Sequence, residues 1–186
     1  MPISTQAAVI RLHDAKIAEL TADTSAALTY GSLVDLGGII EMRCTGEFDY
    51  RELEGDNQIL TSHSFLKAIE IEVQQARIQL DALAVLIGGS VTASGTAPNQ
   101  KQTYTVLATD QTKFFKIEGQ SKGTDAPGGD VQDCHVVFYK CKLSGNVEYT
   151  LGADYARVTF RARAIPTINN GKIKEIVFNE TATPIA

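Results

Sequence analysis

Apolar and polar residues alternate without a break from Ile40 to Arg51, and again, after a polar interval, from Phe65 to Gln74. In the first stretch Ile40, Met42, Cys44, Gly46, Phe48 and Tyr50 share one parity; Glu41, Arg43, Thr45, Glu47, Asp49 and Arg51 take the other. In the second, Phe65, Ile69, Ile71 and Val73 oppose Glu70, Glu72 and Gln74, with Lys67 as the one exception. A period of two sends such sets to opposite faces of a sheet. The pattern therefore predicts a long hairpin with one buried and one wet face. The thirteen residues Glu52 to Ser64 are predicted to connect its strands as a loop, and long ordered loops usually carry function. Ile59 and Leu60 lie in it among Glu54, Gly55, Asp56 and Asn57. Two adjacent aliphatics on a protruding loop point to a partner surface.

The remaining elements follow from the same reading. Residues 1–14 read as a polar arm, Ala15 to Leu20 as a short strand, and Thr29-Tyr30-Gly31-Ser32 as a turn. Leu80, Leu83, Ala84 and Ile87 recur at helical spacing, and Gly88-Gly89 follows them. This predicts one helix over about 79–88 with a glycine stop. Thr92 to Gln102 is small and polar and reads as a surface loop, as does Gly119 to Asp130. Strands are expected at Thr103 to Thr109, Lys113 to Glu118, and Cys134 to Leu143, the last a central one because it is apolar on both parities. Val158, Phe160, Ala162 and Ala164 alternate with Arg157, Thr159, Arg161 and Arg163. Asn169-Asn170-Gly171 then predicts a hairpin turn into Ile173 to Phe178. About eight antiparallel strands and one helix make a mainly β fold, a sandwich or barrel in a single domain over residues 1–186.

Composition narrows the function. The chain has 186 residues, 44% hydrophobic and 21% charged, with a net charge of −5. One domain of this length buries roughly 70% of its unfolded surface. The negative balance disfavours general nucleic-acid binding, which relies on clustered Lys and Arg. No apolar run approaches the roughly 20 residues of a membrane span. The first residues lack a basic region followed by an apolar core, so folding in a cytoplasm is expected. Cys44, Cys134 and Cys141 are odd in number and lack zinc-site spacing, which predicts free thiols.

Candidate chemistry is sparse. The sequence has no nucleophile elbow, phosphate loop, dinucleotide fingerprint or metal-ligand pair at helical spacing, so neither an enzyme nor a cofactor is expected. Cys134 and His135 are neighbours and would point to opposite faces of a strand, which rules them out as a catalytic pair. Asp125 to Asp130, with Asp133 beyond, resembles a cation loop only loosely and reads better as turn chemistry. The charged positions of the hairpin hold five acids (Glu41, Glu47, Asp49, Glu70, Glu72) and two bases (Arg43, Arg51). That face is thus acidic by three charges and would repel a polyanion at short range. Arg157, Arg161 and Arg163 form a basic strand face, able either to contact phosphates or to pair with acidic faces of neighbouring strands or subunits.

Several segments carry a resemblance to a known family. These are Lys16-Ile-Ala-Glu-Leu-Thr-Ala-Asp-Thr-Ser, Thr29-Tyr-Gly, Arg51-Glu-Leu-Glu-Gly-Asp-Asn, Leu83-Ala-Val-Leu-Ile-Gly-Gly, Phe114-Phe-Lys-Ile-Glu-Gly-Gln-Ser and Tyr139-Lys-Cys-Lys-Leu-Ser-Gly. In this order they resemble the major tail proteins of long non-contractile-tailed bacteriophages. The resemblance implies a tail-tube-like subunit, a β-sandwich flanked by a helix, that assembles into hexameric rings. Stacked rings form the virion tube through which DNA passes without specific binding. It further implies tape-measure, tail-terminator and baseplate or tail-tip partners, with a hairpin loop and terminal arms bridging rings. On that reading Glu54, Asp56, Ile59 and Leu60 belong to the stacking loop, and Glu41, Arg43, Glu47, Asp49, Arg51, Glu70 and Glu72 to the lumen face. Arg157, Arg161 and Arg163 would lie between subunits. A tube protein of a bacterial secretion apparatus, or a monomeric carbohydrate-binding sandwich, are the competing readings. The absence of Trp counts against the second.

Overall fold

The two longest alternating segments become two of the longest strands of the molecule. The computed structural model describes Thr5 and residues 9–123, 131–150 and 156–185. Ten strands and one helix follow in the order β1 (Val9–Asp23), β2 (Leu28–Asp35), β3 (Ile39–Gly55), β4 (Gln58–Gln75), α1 (Leu80–Ile87), β5 (Ser90–Ser94), β6 (Lys101–Thr105), β7 (Phe115–Gly123), β8 (Asp133–Thr150), β9 (Arg157–Ala164) and β10 (Lys174–Asn179). The fold is mainly β, every strand pair is antiparallel, and no described helix is long and apolar enough to cross a membrane. The main sheet runs β2-β1-β7-β8-β9-β4-β3, with β10 also on β8; β2 and β3 end the path, so the sheet does not close into a barrel.

Strand β8 is the hinge of this arrangement. Its first half, Asp133 to Phe138, lies between β7 and β10; its second half, Cys141 to Thr150, pairs with β9. Where the partner changes, Phe115 stands opposite Cys141 while Ile117 stands opposite Phe138, a bulge that sets Tyr139 and Lys140 against the single residue Lys116. Bulges bend a strand and sharpen its twist. The sheet folds over at this point, and Met42 of β3 comes to lie against Gly119 of β7, where an added Cβ would meet its Cε at 2.9 Å. The core fills the space between the two arms with Ile17, Phe115, Ile117, Phe138, Ile71, Phe160 and Ala162. Burial of each large side chain contributes about 1.5–3 kcal/mol.

Several expected boundaries move. β1 begins at Val9, inside the segment read as an arm, and β2 runs through Thr29 to Ser32; the turn lies earlier, with Thr24 N–H donating to the Ala27 carbonyl at 2.9 Å. Thr and Tyr favour strands, and one Gly does not break them. α1 forms where predicted, but Ala82, Leu83 and Leu86 are the residues it buries, not Leu80, Ala84 and Ile87. Its stop is as expected: Gly88 and Gly89 have φ of 96° and 91°, which side-chain-bearing residues rarely adopt. The Thr92 to Gln102 segment is largely the β5–β6 hairpin, secured by the Tyr104 hydroxyl donating to the Gly88 carbonyl at 2.7 Å. The Asn169-Asn170-Gly171 turn exists, with Gly171 at φ 70°. It does not make a β9–β10 hairpin, because β10 pairs with β8 instead.

After β10 the chain crosses the outer face of the sheet as a strap. Thr183 N–H donates to Asp133 Oδ2 at 2.7 Å; its carbonyl accepts from Gln120 Nε2 and from His135 Nε2, each at 2.9 Å. Lys16 Nζ donates to the Ile185 carbonyl at 3.2 Å. Glu118, Gln120, Asp133 and His135, among the few buried polar residues, all lie on this strap-covered face. His135 Nδ1 pairs with Glu118 Oε1 at 3.0 Å, so the histidine has structural partners.

Candidate functional site

The hairpin leaves the body halfway along its length. Along β4, Ala68, Ile69, Ile71 and Val73 are buried, whereas every residue from Gln58 to Lys67 is exposed. Along β3, Cys44, Gly46, Phe48 and Tyr50 are exposed too, so the expected buried face is not buried over the distal half. The outcome is a two-stranded ribbon that carries Phe48 (64% exposed), Tyr50, Leu53, Ile59, Leu60, Phe65 and Leu66 into solvent.

The expected thirteen-residue loop is instead paired strand almost to its end. Gly55 stands opposite Gln58, and only Asp56 and Asn57 turn the chain, with φ of 48° and 61°. Two consecutive left-handed residues match the twist of a hairpin, and Asp and Asn tolerate that region best after Gly. Leu60 folds across Gly55, where an added Cβ would lie 2.7 Å from its Cδ1. Glu54, Asp56, Ile59 and Leu60 thus share one tip.

Lys67, the break in the alternation, marks a bulge. Glu47 faces Ala68, but the next residue, Phe48, faces Leu66, which leaves Lys67 without an opposite number. The extra residue switches faces beyond it. Leu66 joins Phe48 and Ile69 in lining one groove, while Phe65 stands opposite Asp49 on the charged face. The sequence parity had placed Phe65 with Ile69; the bulge reverses that.

The acidic hairpin face and the arginine strand form a single surface. β9 lies beside β4, so Arg161 is opposite Glu72 and Arg163 opposite Glu70. Arg161 reaches Glu72 at 3.4 Å, Arg163 pairs with Glu47 and lies 3.8 Å from Glu70, and Lys67 reaches Glu47 at 3.4 Å. Arg43 pairs with Glu41 at 3.5 Å and Arg51 with Asp49 at 3.2 Å. Lys142 and Glu148 of β8 extend the face, and Arg157 sits at its end opposite Thr150. The acidic excess of three read from the hairpin alone is therefore more than offset, because Lys67, Lys142 and the three arginines add five positive charges against one negative from Glu148. Arg161 and Arg163 have partners within their own subunit. Exposed pairs of this kind contribute about 0–1 kcal/mol each, so their effect is to set charge pattern rather than stability.

The strands behind that face, β8 (second half), β9, β4 and β3, have two open edges. β3 pairs only with β4, and Lys142 to Thr150 of β8 pair only with β9, among the described residues. Unpaired edges on flat strands are templates for another chain. The β8 edge was missed in the sequence because nothing in its residues shows where β7 stops pairing.

Cys44, Cys134 and Cys141 are free thiols, and burial raises the Cys141 thiol well above its ordinary value. Among the described residues no three His, Cys, Asp or Glu side chains are placed to hold a metal. Asp125 to Asp130 lie outside the described residues, and Asp133 is committed to the strap. Comparison with protein-family models and with curated proteins found no match.

Proposed function

We propose that this chain is a structural subunit of a self-assembling tube of the kind formed by phage major tail proteins, with rings closing edge to edge and stacking through the β3–β4 ribbon. The observation that carries the reading is the four-stranded arm with two open edges, from which an apolar ribbon projects. Edge β3 of one copy pairing with the β8 edge of the next continues the sheet from subunit to subunit and removes both liabilities at once. Repeated around six copies, it closes a sandwich-like subunit into a continuous inner barrel, and the charged face of β3, β4 and β9 becomes the lumen. Arg43, Arg51, Lys67, Arg161 and Arg163 of that lumen each lie beside a carboxylate, which weakens their hold on phosphates and favours passage over binding. Tape-measure, terminator and tail-tip proteins would then bind the ends of the tube in a virion.

A ring-forming tube of a bacterial secretion apparatus rests on the same features. Electron microscopy over a concentration series, paired with light scattering, tests both. Rings or tubes of uniform diameter are expected. A strict monomer at every concentration, with neither rings nor tubes, would overturn the tube reading and favour a monomeric binding module.

A further inference from the structure

The ribbon tip and a groove at the ribbon's base are chemically complementary, and they cannot meet within one molecule. The groove, about 570 Å³, has Cys44, Phe48, Leu66, Ile69 and Ile173 along its apolar lining and Lys172 and Lys174 at its side. Gly46 opens its floor: a Cβ there would lie 3.1 Å from the Phe48 ring and 3.3 Å from Leu66 Cδ1. No carboxylate lines it. Lys172 pairs with Glu175 at 3.0 Å, whereas Lys174 has no carboxylate partner among the described residues. The tip presents the opposite set. From Glu52 to Ser62 the ribbon has three acids, Glu52, Glu54 and Asp56, and no base. Leu53, Ile59 and Leu60 stand 58–63% exposed beside them.

Eight residues of paired strand separate Phe48 in the groove from Asp56 at the tip, which at about 3.3 Å per residue is a span of roughly 26 Å. The tip of a straight ribbon does not return to its own base, so the occupant is another copy.

We infer that the groove between β3, β4 and the Gly171 to Lys174 segment is the receptor for the ribbon tip of a second copy: Ile59 and Leu60 enter against Phe48, Leu66 and Ile173, and Glu54 or Asp56 meets Lys174. The inference rests on the tube reading above and names its stacking contact. Tip into groove is heterologous, because each copy gives one surface and receives on another; between stacked rings, where no rotation closes the series, such contacts run on as open chains.

Native Cys44 lines the groove, while the other two cysteines are buried, so the contact can be trapped. Gln58→Cys places a thiol on the exposed tip beside Ile59 and Leu60, leaving both in place. A short bismaleimide, applied at mildly alkaline pH because the apolar groove wall partly desolvates the Cys44 thiol and raises it, is expected to give a ladder of dimers, trimers and higher chains. Cys44→Ser in the Gln58→Cys background should abolish the ladder. Lys174→Glu should weaken it several-fold, and Lys174→Glu with Glu54→Lys should restore it, a rescue that a merely misfolded variant would not show. Cross-linking that halts at dimers, or wild-type tubes whose Gln58→Cys form gives no ladder and whose Lys174→Glu form assembles normally, would overturn the groove while leaving the tube reading intact. A ladder from a protein that forms no rings or tubes would uphold the groove and sink the tube.

Discussion

The two halves of the β3–β4 hairpin share a sequence pattern and meet opposite fates. Near the body, Ile69, Ile71 and Val73 alternate with Glu70, Glu72 and Gln74, and the apolar set is buried. Beyond the Lys67 bulge, Phe48, Tyr50, Leu53, Ile59, Leu60 and Leu66 are as apolar and remain exposed. Alternation specifies which residues share a face; it does not specify what covers that face. In the proximal half the cover is the facing arm of the folded sheet, with Ile17, Ile117 and Phe138, together with Ala82 and Leu86 of α1. In the distal half no described residue covers it, and an exposed apolar surface of this kind is the basis of the proposed contact with a second copy.

The contrast can be broken most completely at the tip. Ile59→Asp with Leu60→Asp is expected to eliminate ring stacking in electron micrographs while thermal stability stays within about 0.5 kcal/mol of wild type, as for other exposed positions. Normal tubes from the folded double variant would remove the tip from assembly. A matched pair of truncations sharpens the difference between the halves: Ile71→Ala should cost about 2–5 kcal/mol in denaturant unfolding, and Phe48→Ala in the free monomer about 0.5 kcal/mol or less. Equal losses would mean that the distal half is packed after all.

Acid separates the body from the ribbon in another way. Burial alone would raise Asp23 and Asp133. For Asp23 the Lys140 ammonium and the Ile168 and Asn169 amides outweigh it; for Asp133 the Thr183 amide, Asn179 and Gln120 do. Both carboxyls end below the ordinary value of 3.8 for an aspartate. A lowered folded value means stability that is present above the unfolded value and lost as pH falls through the folded one. Amide exchange at Ile168 and Thr183 should therefore accelerate below about pH 4 relative to the ribbon amides, an effect absent in Asp133→Asn for Thr183. The smallest expected change is from Arg161→Gln: under about 1 kcal/mol of stability, with tubes that still form. A larger loss would show that the charge rows hold the hairpin onto the body.

The hairpin, the helix, the glycine stop and the β9 strand were legible because each rests on local spacing. Turn location was less so. Asp56-Asn57 lacks the glycine in second place that signals a two-residue hairpin, and Thr29 to Ser32 imitates a turn with strand-forming residues. Pairing was not legible at all: Asn169 to Gly171 shows that the chain turns, not that β10 will join β8. The candidate site was half visible. Its tip residues and both charged sets could be named from the sequence. Their union into one face depends on β9 lying against β4, a contact about 90 residues distant in the chain. The strap was also hidden, since Glu118, Asp133 and His135 resemble surface residues until a peptide lies over them.

The open edges on the four-stranded arm have a geometric consequence. Any ring that closes through them gains four strands per copy, roughly 19 Å of circumference at the ordinary spacing between strands. Bore is then a quantity that changes only in steps, counted in whole subunits. A mutation that altered the stoichiometry by one would be read directly as a new diameter in a micrograph, with no intermediate width accessible.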